Sequence, residues 1–79
     1  MNIKNSKELG EGIRLARKKL GVTQKDLAMA SGTGLRFIVD LEKGKPTCEL
    51  EKSLTVLAAL GMVINIQSQS EHTDHPEKI

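Results

Sequence analysis

The side chains in this sequence that could do chemistry are mostly cations, and they are unevenly placed. Residues 1–60 carry eleven basic and seven acidic side chains, a balance of +4; residues 61–79 carry one basic and three acidic, a balance of −2. A basic body with an acidic tail suits a polyanionic partner such as nucleic acid. Catalysis finds less support. No Ser/His/Asp set, no phosphate-cradling Gly loop and no pair of acids in a cleft is legible, so an enzyme is not expected and no cofactor is implied. His72 and His75 lie three apart with no third or fourth ligand organised beside them, which argues against a metal site. Cys48 is the sole cysteine, so no internal disulfide can form and a reducing compartment is expected. Its expected role is that of a small buried residue near a helix start, in preference to a reactive thiol.

The cations must be positioned by helices, and residues 23–46 carry the signals for two. The Thr23 hydroxyl can accept from the first free N–H groups of a helix, and Asp26, three residues on, can return the bond in a capping box. Leu27 and Ala28 mark the buried side, Ala28 being small enough for a close helix crossing. Ser31-Gly32 ends this helix, because glycine takes the left-handed conformation without steric cost. A second helix begins near Gly34 and runs from Leu35 to Glu42. Ile38 and Leu41 face inward, leaving Leu35, Arg36 and Asp40 outward. Gly44 and Pro46 end it.

This stretch resembles the Xre/lambda-repressor class of helix-turn-helix proteins, whose pattern is T-Q-x-x-L-A, a turn Gly, an apolar Ile, then L-E-x-G. Thr23, Gln24, Leu27, Ala28, Gly32, Ile38, Leu41, Glu42 and Gly44 match it in register. The resemblance implies sequence-specific binding of double-stranded DNA. It places Gln24, at the first turn of the scaffold helix, on a phosphate with help from the helix dipole. Leu35, Arg36 and Asp40 take the positions that face bases, and the fork of Arg36 matches the two acceptors of guanine. Lys43 and Lys45 fit phosphate contacts that set register. Thr33, Gly34 and Phe37 are further candidates to face DNA. Two departures stand out. Gly34 replaces the Ser or Thr that commonly caps the recognition helix. Phe37 stands where polar residues are usual, and either meets a thymine methyl or packs on the scaffold. Asp40 either accepts from cytosine or orients Arg36 through their i, i+4 spacing, the second being preferred.

On the N-terminal side, Asn5 or Ser6 caps a first helix with Glu8 in its opening turn and Gly21 at its end. Leu9, Ile13, Ala16 and Leu20 form the expected buried stripe, with Arg14, Arg17, Lys18 and Lys19 outside it. After Pro46-Thr47 a further helix starts around Cys48 to Leu50 and ends at Gly61, with Leu50, Leu54, Leu57, Ala58 and Leu60 inward. The fold class expected is all-α, a compact domain of four to five helices. Met62-Val63-Ile64-Asn65-Ile66-Gln67 then alternates, and its β-branched residues favour a strand. A lone strand leaves its backbone groups unpaired, so the expected partner is the same strand of a second copy, antiparallel across a two-fold axis. The other reading is an extended apolar tail packed on its own domain. A homodimer would present two recognition helices to a palindrome with half-sites ~34 Å apart.

The whole layout, helices followed by one strand and a short polar tail, resembles the HipB-like antitoxins. The resemblance covers roughly residues 6–67. It implies autoregulation of an operon and binding of a HipA-type kinase toxin; the alternative is a stand-alone Xre-family repressor. The expected organisation is a DNA-binding domain at 1–61, a dimerisation strand at 62–67 and a disordered polar tail at 68–79. No signal peptide is read. The longest apolar stretch, Leu54 to Ile66, is interrupted by Thr55, Gly61 and Asn65 and is too short for a bilayer, so a soluble cytoplasmic protein with no membrane partner is expected.

Overall fold

The fold begins at Asn5, whose side-chain oxygen accepts the Glu8 N–H at 2.8 Å and caps α1 (Ser6–Leu20). The computed structural model describes residues 2–68, and among them three more helices follow: α2 (Gln24–Ser31), α3 (Leu35–Glu42) and α4 (Leu50–Ala59). A glycine in the left-handed conformation follows the end of each helix: Gly21, Gly32, Gly44 and Gly61. The core is a single cluster of Ile13, Leu27, Ala28, Ile38, Leu41, Val56, Leu57 and Leu60, with Leu9, Ala16, Phe37, Cys48 and Met62 around it. Helix α3 packs on α1 and α2, and α2 on α4. Ile13, Ile38 and Val56 are completely enclosed, each contributing about 1.5–3 kcal/mol by leaving water.

The α1–α3 contact is unusually close at one point. A Cβ at Gly10 would collide with the backbone oxygens of Leu41 and Glu42, the latter at 2.7 Å. Only glycine lets the first helix lie against the end of α3 at this distance. Nearby, Ser6 Oγ donates to the Gly44 carbonyl at 2.9 Å, so the opening turn of α1 and the loop after α3 hold each other.

Two faces differ from the sequence-based expectation. In α1, Leu20 is exposed and Arg17 is buried, because the inward face follows Gly10, Ile13 and Arg17. In α4 the buried residues are Ser53, Val56, Leu57 and Leu60, while Leu50, Leu54 and Ala58 are exposed. Leu50, Leu54 and Ala58 form one apolar stripe and Val56, Leu57 and Leu60 another, so periodicity alone offered two phases. The observed one buries the i, i+3, i+4, i+7 set that starts at Ser53, whose hydroxyl is satisfied by the Glu49 carbonyl at 2.8 Å.

After α4, the Met62 N–H returns to the Leu57 carbonyl at 2.9 Å and its side chain is half-buried on the core. Residues 62–68 then form neither helix nor strand in the single chain, and there is no strand among the described residues. Val63 and Ile66 are 87% and 93% exposed. The expected strand has no ladder here, as its backbone groups find no second edge within one copy. Most of the expected polar tail, with His72 and His75, lies outside the described residues. Among the described residues no helix is long and apolar enough to cross a membrane.

Candidate nucleic-acid interface

The candidate interface starts at the α2 N-terminus. Thr23 Oγ1 accepts the Asp26 N–H at 3.0 Å, and Asp26 Oδ2 accepts the Thr23 N–H at 3.1 Å, completing the expected capping box. Hydrogen bonding from Thr23, its backbone N–H foremost, holds the Asp26 carboxyl below the usual carboxylate range. Gln24 occupies the first helical position, where the dipole favours a phosphate. Its side chain is not loose: Nε2 donates to Glu42 Oε1 at 3.1 Å. Glu42 in turn accepts from Arg17, Nε to Oε2 at 2.6 Å and Nη2 to Oε1 at 3.0 Å. A third donor of Arg17, Nη1, reaches the Val22 carbonyl at 2.9 Å. This fork spends both carboxylate oxygens on one guanidinium. The hydrogen bonds that Arg17 donates to Glu42 keep its pKa above its ordinary value, outweighing desolvation. The result is a buried ionic joint linking α1, the α2 entry and the end of α3, with Gln24 hung on its rim.

Helix α3 presents the second part. Gly34 is its N-cap, in extended conformation and with no side-chain bond, so the helix start lacks the cap that Ser or Thr would supply. Ser31 Oγ and Thr33 Oγ1 lie 2.9 Å apart, which ties Thr33 to the turn. Leu35 and Arg36 are exposed, and the Arg36 side chain is 83% exposed. Asp40, one turn on, is only 21% exposed at its side chain and lies between two cations: Arg36 Nε at 3.5 Å and Lys45 Nζ at 3.6 Å. Backbone chemistry sets the second pair. Gly44 sits at φ +84°, which lets the Gly44 N–H return to the Leu41 carbonyl and the Lys45 N–H to the Asp40 carbonyl, both at 3.0 Å. In this Schellman closure Lys45 falls directly beside Asp40, at the place where two apolar side chains usually meet. Lys43, the C-cap of α3, is exposed.

The structure therefore gathers Leu35, Arg36, Asp40, Lys43 and Lys45 on α3 and its closing turn, with Gln24 on α2 joined to the end of α3. Phe37 departs from this face. It is half-buried against the core, with Lys52 Nζ of α4 over its ring at 5.7 Å from the centroid. Cys48 is half-buried in the loop before α4, and burial pushes its thiol pKa up. Sequence reasoning missed Arg17 and Glu42 as the joint of the unit. The available signal was spacing: Arg17 is four residues after Ile13, and Glu42 four after Ile38, so each continues a buried stripe.

This geometry has counterparts. The helix-turn-helix family profile matches residues 13–63, which span α2, the turn and α3 whole. The chain belongs to the helix-turn-helix family of transcriptional regulators. An uncharacterised HTH-type transcriptional regulator of Sinorhizobium fredii, y4mF, is 46% identical over 69 residues, covering 87% of this chain and 91% of that protein. A second HTH-type regulator, from Haemophilus influenzae, is 39% identical over 51 residues, covering 65% of this chain and 52% of that protein. Among solved structures, a HipB–O4 20mer complex superposes with a TM-score of 0.81 at 21% identity, covering 89% of this chain and 99% of that one. A HipA–HipB–O2–O3 complex gives 0.82 over the same shares. At that identity the likeness speaks for a shared helix-turn-helix fold.

Proposed function

We propose that this regulator is a homodimeric, sequence-specific DNA-binding repressor whose recognition helix is α3. The observation that carries this reading is the exposed face of Leu35, Arg36, Asp40, Lys43 and Lys45, held on a helix clamped to α2 through the buried Arg17–Glu42–Gln24 joint. Arg36 reads a base edge, Leu35 packs against one, and Gln24, Lys43 and Lys45 hold phosphates. Thr33 and Gly34, at the N-terminal end of α3, lie close to the backbone; Phe37 supports the helix from the core side.

The dimer is supported by apolar surface that a single copy leaves in water. Val63, Ile64 and Ile66 follow directly on α4, whose Leu50 and Leu54 are exposed as well. Two copies of Met62–Gln67, paired antiparallel, would satisfy the backbone and cover those side chains. Sedimentation at micromolar concentration tests this: a dimer is expected, and a monomer that still binds operator DNA with full affinity would remove the shared strand. The similarity in fold to HipB of the HipB–O4 20mer complex, and to HipB of the HipA–HipB–O2–O3 complex, favours the further reading that the protein is an antitoxin whose partner is a HipA-type kinase. Co-purification from the native operon separates the two: a kinase retained on the tagged chain supports the antitoxin, and none retained leaves a stand-alone repressor.

A further inference from the structure

Asp40 is an acidic side chain in the middle of a surface meant for a polyanion, and its placement is built in. Its carboxylate is 21% exposed, whereas Arg36 and Lys45 stand outside it at 83% and 54%. One oxygen faces Arg36 Nε and the other faces Lys45 Nζ. The Lys45 backbone N–H is also bonded to the Asp40 carbonyl, which keeps the root of this side chain beside Asp40 while its exposed ammonium can still turn outward. The oxygen at 3.5 Å engages Arg36 through Nε. The Nη edge of the guanidinium remains for a base, and the contact through Nε turns that edge away from Asp40.

We infer that Asp40 is a discriminating residue: it orients Arg36 for one base edge and withholds Lys45 from phosphates until that edge is found. The inference rests on the DNA-reading role proposed above. On random duplex, Arg36 and Lys45 remain paired with Asp40, and the face contributes fewer free charges to counterion release. On the correct site Arg36 makes its bidentate contact through the Nη edge, α3 seats deeper in the groove, and Lys45 exchanges Asp40 for a phosphate. Asp40 thereby weakens non-specific binding and leaves specific binding less affected, so its effect is on the ratio of the two.

The test uses the full chain, with duplex selected from a random pool by the wild-type protein and a scrambled duplex of equal length as probes. In Asp40→Asn, which keeps the shape and removes the charge, scrambled duplex should bind more tightly. The salt slope on that duplex should steepen by about 0.9, the value of one additional phosphate contact. The ratio of selected to scrambled affinity should fall by roughly tenfold, the scale of one well-placed base contact. Adding Asp40→Asn to Lys45→Ala should abolish the change in slope, and adding it to Arg36→Ala should abolish the further loss of base preference. An unchanged ratio and slope in Asp40→Asn would overturn the inference. So would an equal loss of preference with or without Arg36, which would mean that Asp40 contacts a base itself. Wild-type protein that enriches no sequence would instead overturn the DNA-reading role beneath it.

Discussion

Replacing Arg17 by Met removes the guanidinium of the buried joint and keeps most of the aliphatic length. What remains is a Glu42 side chain 3% exposed to solvent, having lost its two contacts at 2.6 and 3.0 Å and keeping only the Gln24 amide. Taking one partner from a buried ion pair costs about 3–5 kcal/mol, because the other charge is left without compensation. A domain of this size has a total stability on the order of 3–10 kcal/mol, so the loss is a large part of the whole. In urea, with a slope of about 1 kcal/mol/M for so small a domain, the midpoint should fall by about 3 M or leave the measurable range. Helical circular dichroism at one fixed protein concentration reads this out, concentration being held because dimer formation would shift the apparent midpoint. The companion variant Arg17→Met/Glu42→Leu, which removes both charges, should recover most of the loss. Two results would refute the reasoning: a single variant within about 0.3 M of the parent midpoint, or a double variant as unstable as the sum of the two singles.

Further outcomes follow from other parts of the structure. Thr23→Ala removes one half of the α2 capping box and should cost about 1 kcal/mol by urea denaturation. Asp26 has its pKa lowered in the folded state, so its contribution is fully present above the ordinary carboxylate value of 3.8 and is lost as pH falls through the folded value. The melting temperatures of wild type and Asp26→Ala should therefore differ at pH 6 and converge in strong acid. Gly10→Ala places a methyl against the backbone oxygens of Leu41 and Glu42; it should cost about 1–3 kcal/mol, measured in the same denaturation. Ile64→Asp with Ile66→Asp should shift the sedimentation coefficient to that of a monomer while leaving helical content unchanged.

Much of this protein was legible where local chemistry and spacing agree. The Thr23–Asp26 box, the stops at Gly21, Gly32, Gly44 and Gly61, and the inward pair Ile38 and Leu41 each follow from a few neighbouring residues. The Arg36–Asp40 pairing also followed, since it needs only one helical turn. What was illegible depends on contacts distant in sequence. Arg17 reads as one cation in a run of three, and only Glu42, 25 residues away, makes it an interior residue. Gln24 reads as a free phosphate ligand until α3 brings the Glu42 carboxylate against it. The phase of α4 was undecidable from its own residues, because Leu50, Leu54 and Ala58 are as apolar as the set that faces the core. Which stripe is buried depends on where α2 lies. The strand expected at Met62–Gln67 marks a different limit, since the single chain offers it no second edge and residues 62–68 form neither helix nor strand.

The central claim, that α3 reads DNA through Arg36, is tested most directly by selecting bound duplex from a random pool with the wild-type chain and with Arg36→Ala. The wild-type protein should enrich one palindrome with half-sites about ten base pairs apart, centre to centre. Arg36→Ala should keep the spacing and lose the guanine preference at one position in each half-site. No enrichment by the wild type, or the same motif enriched with the same guanine preference by both proteins, would contradict the account.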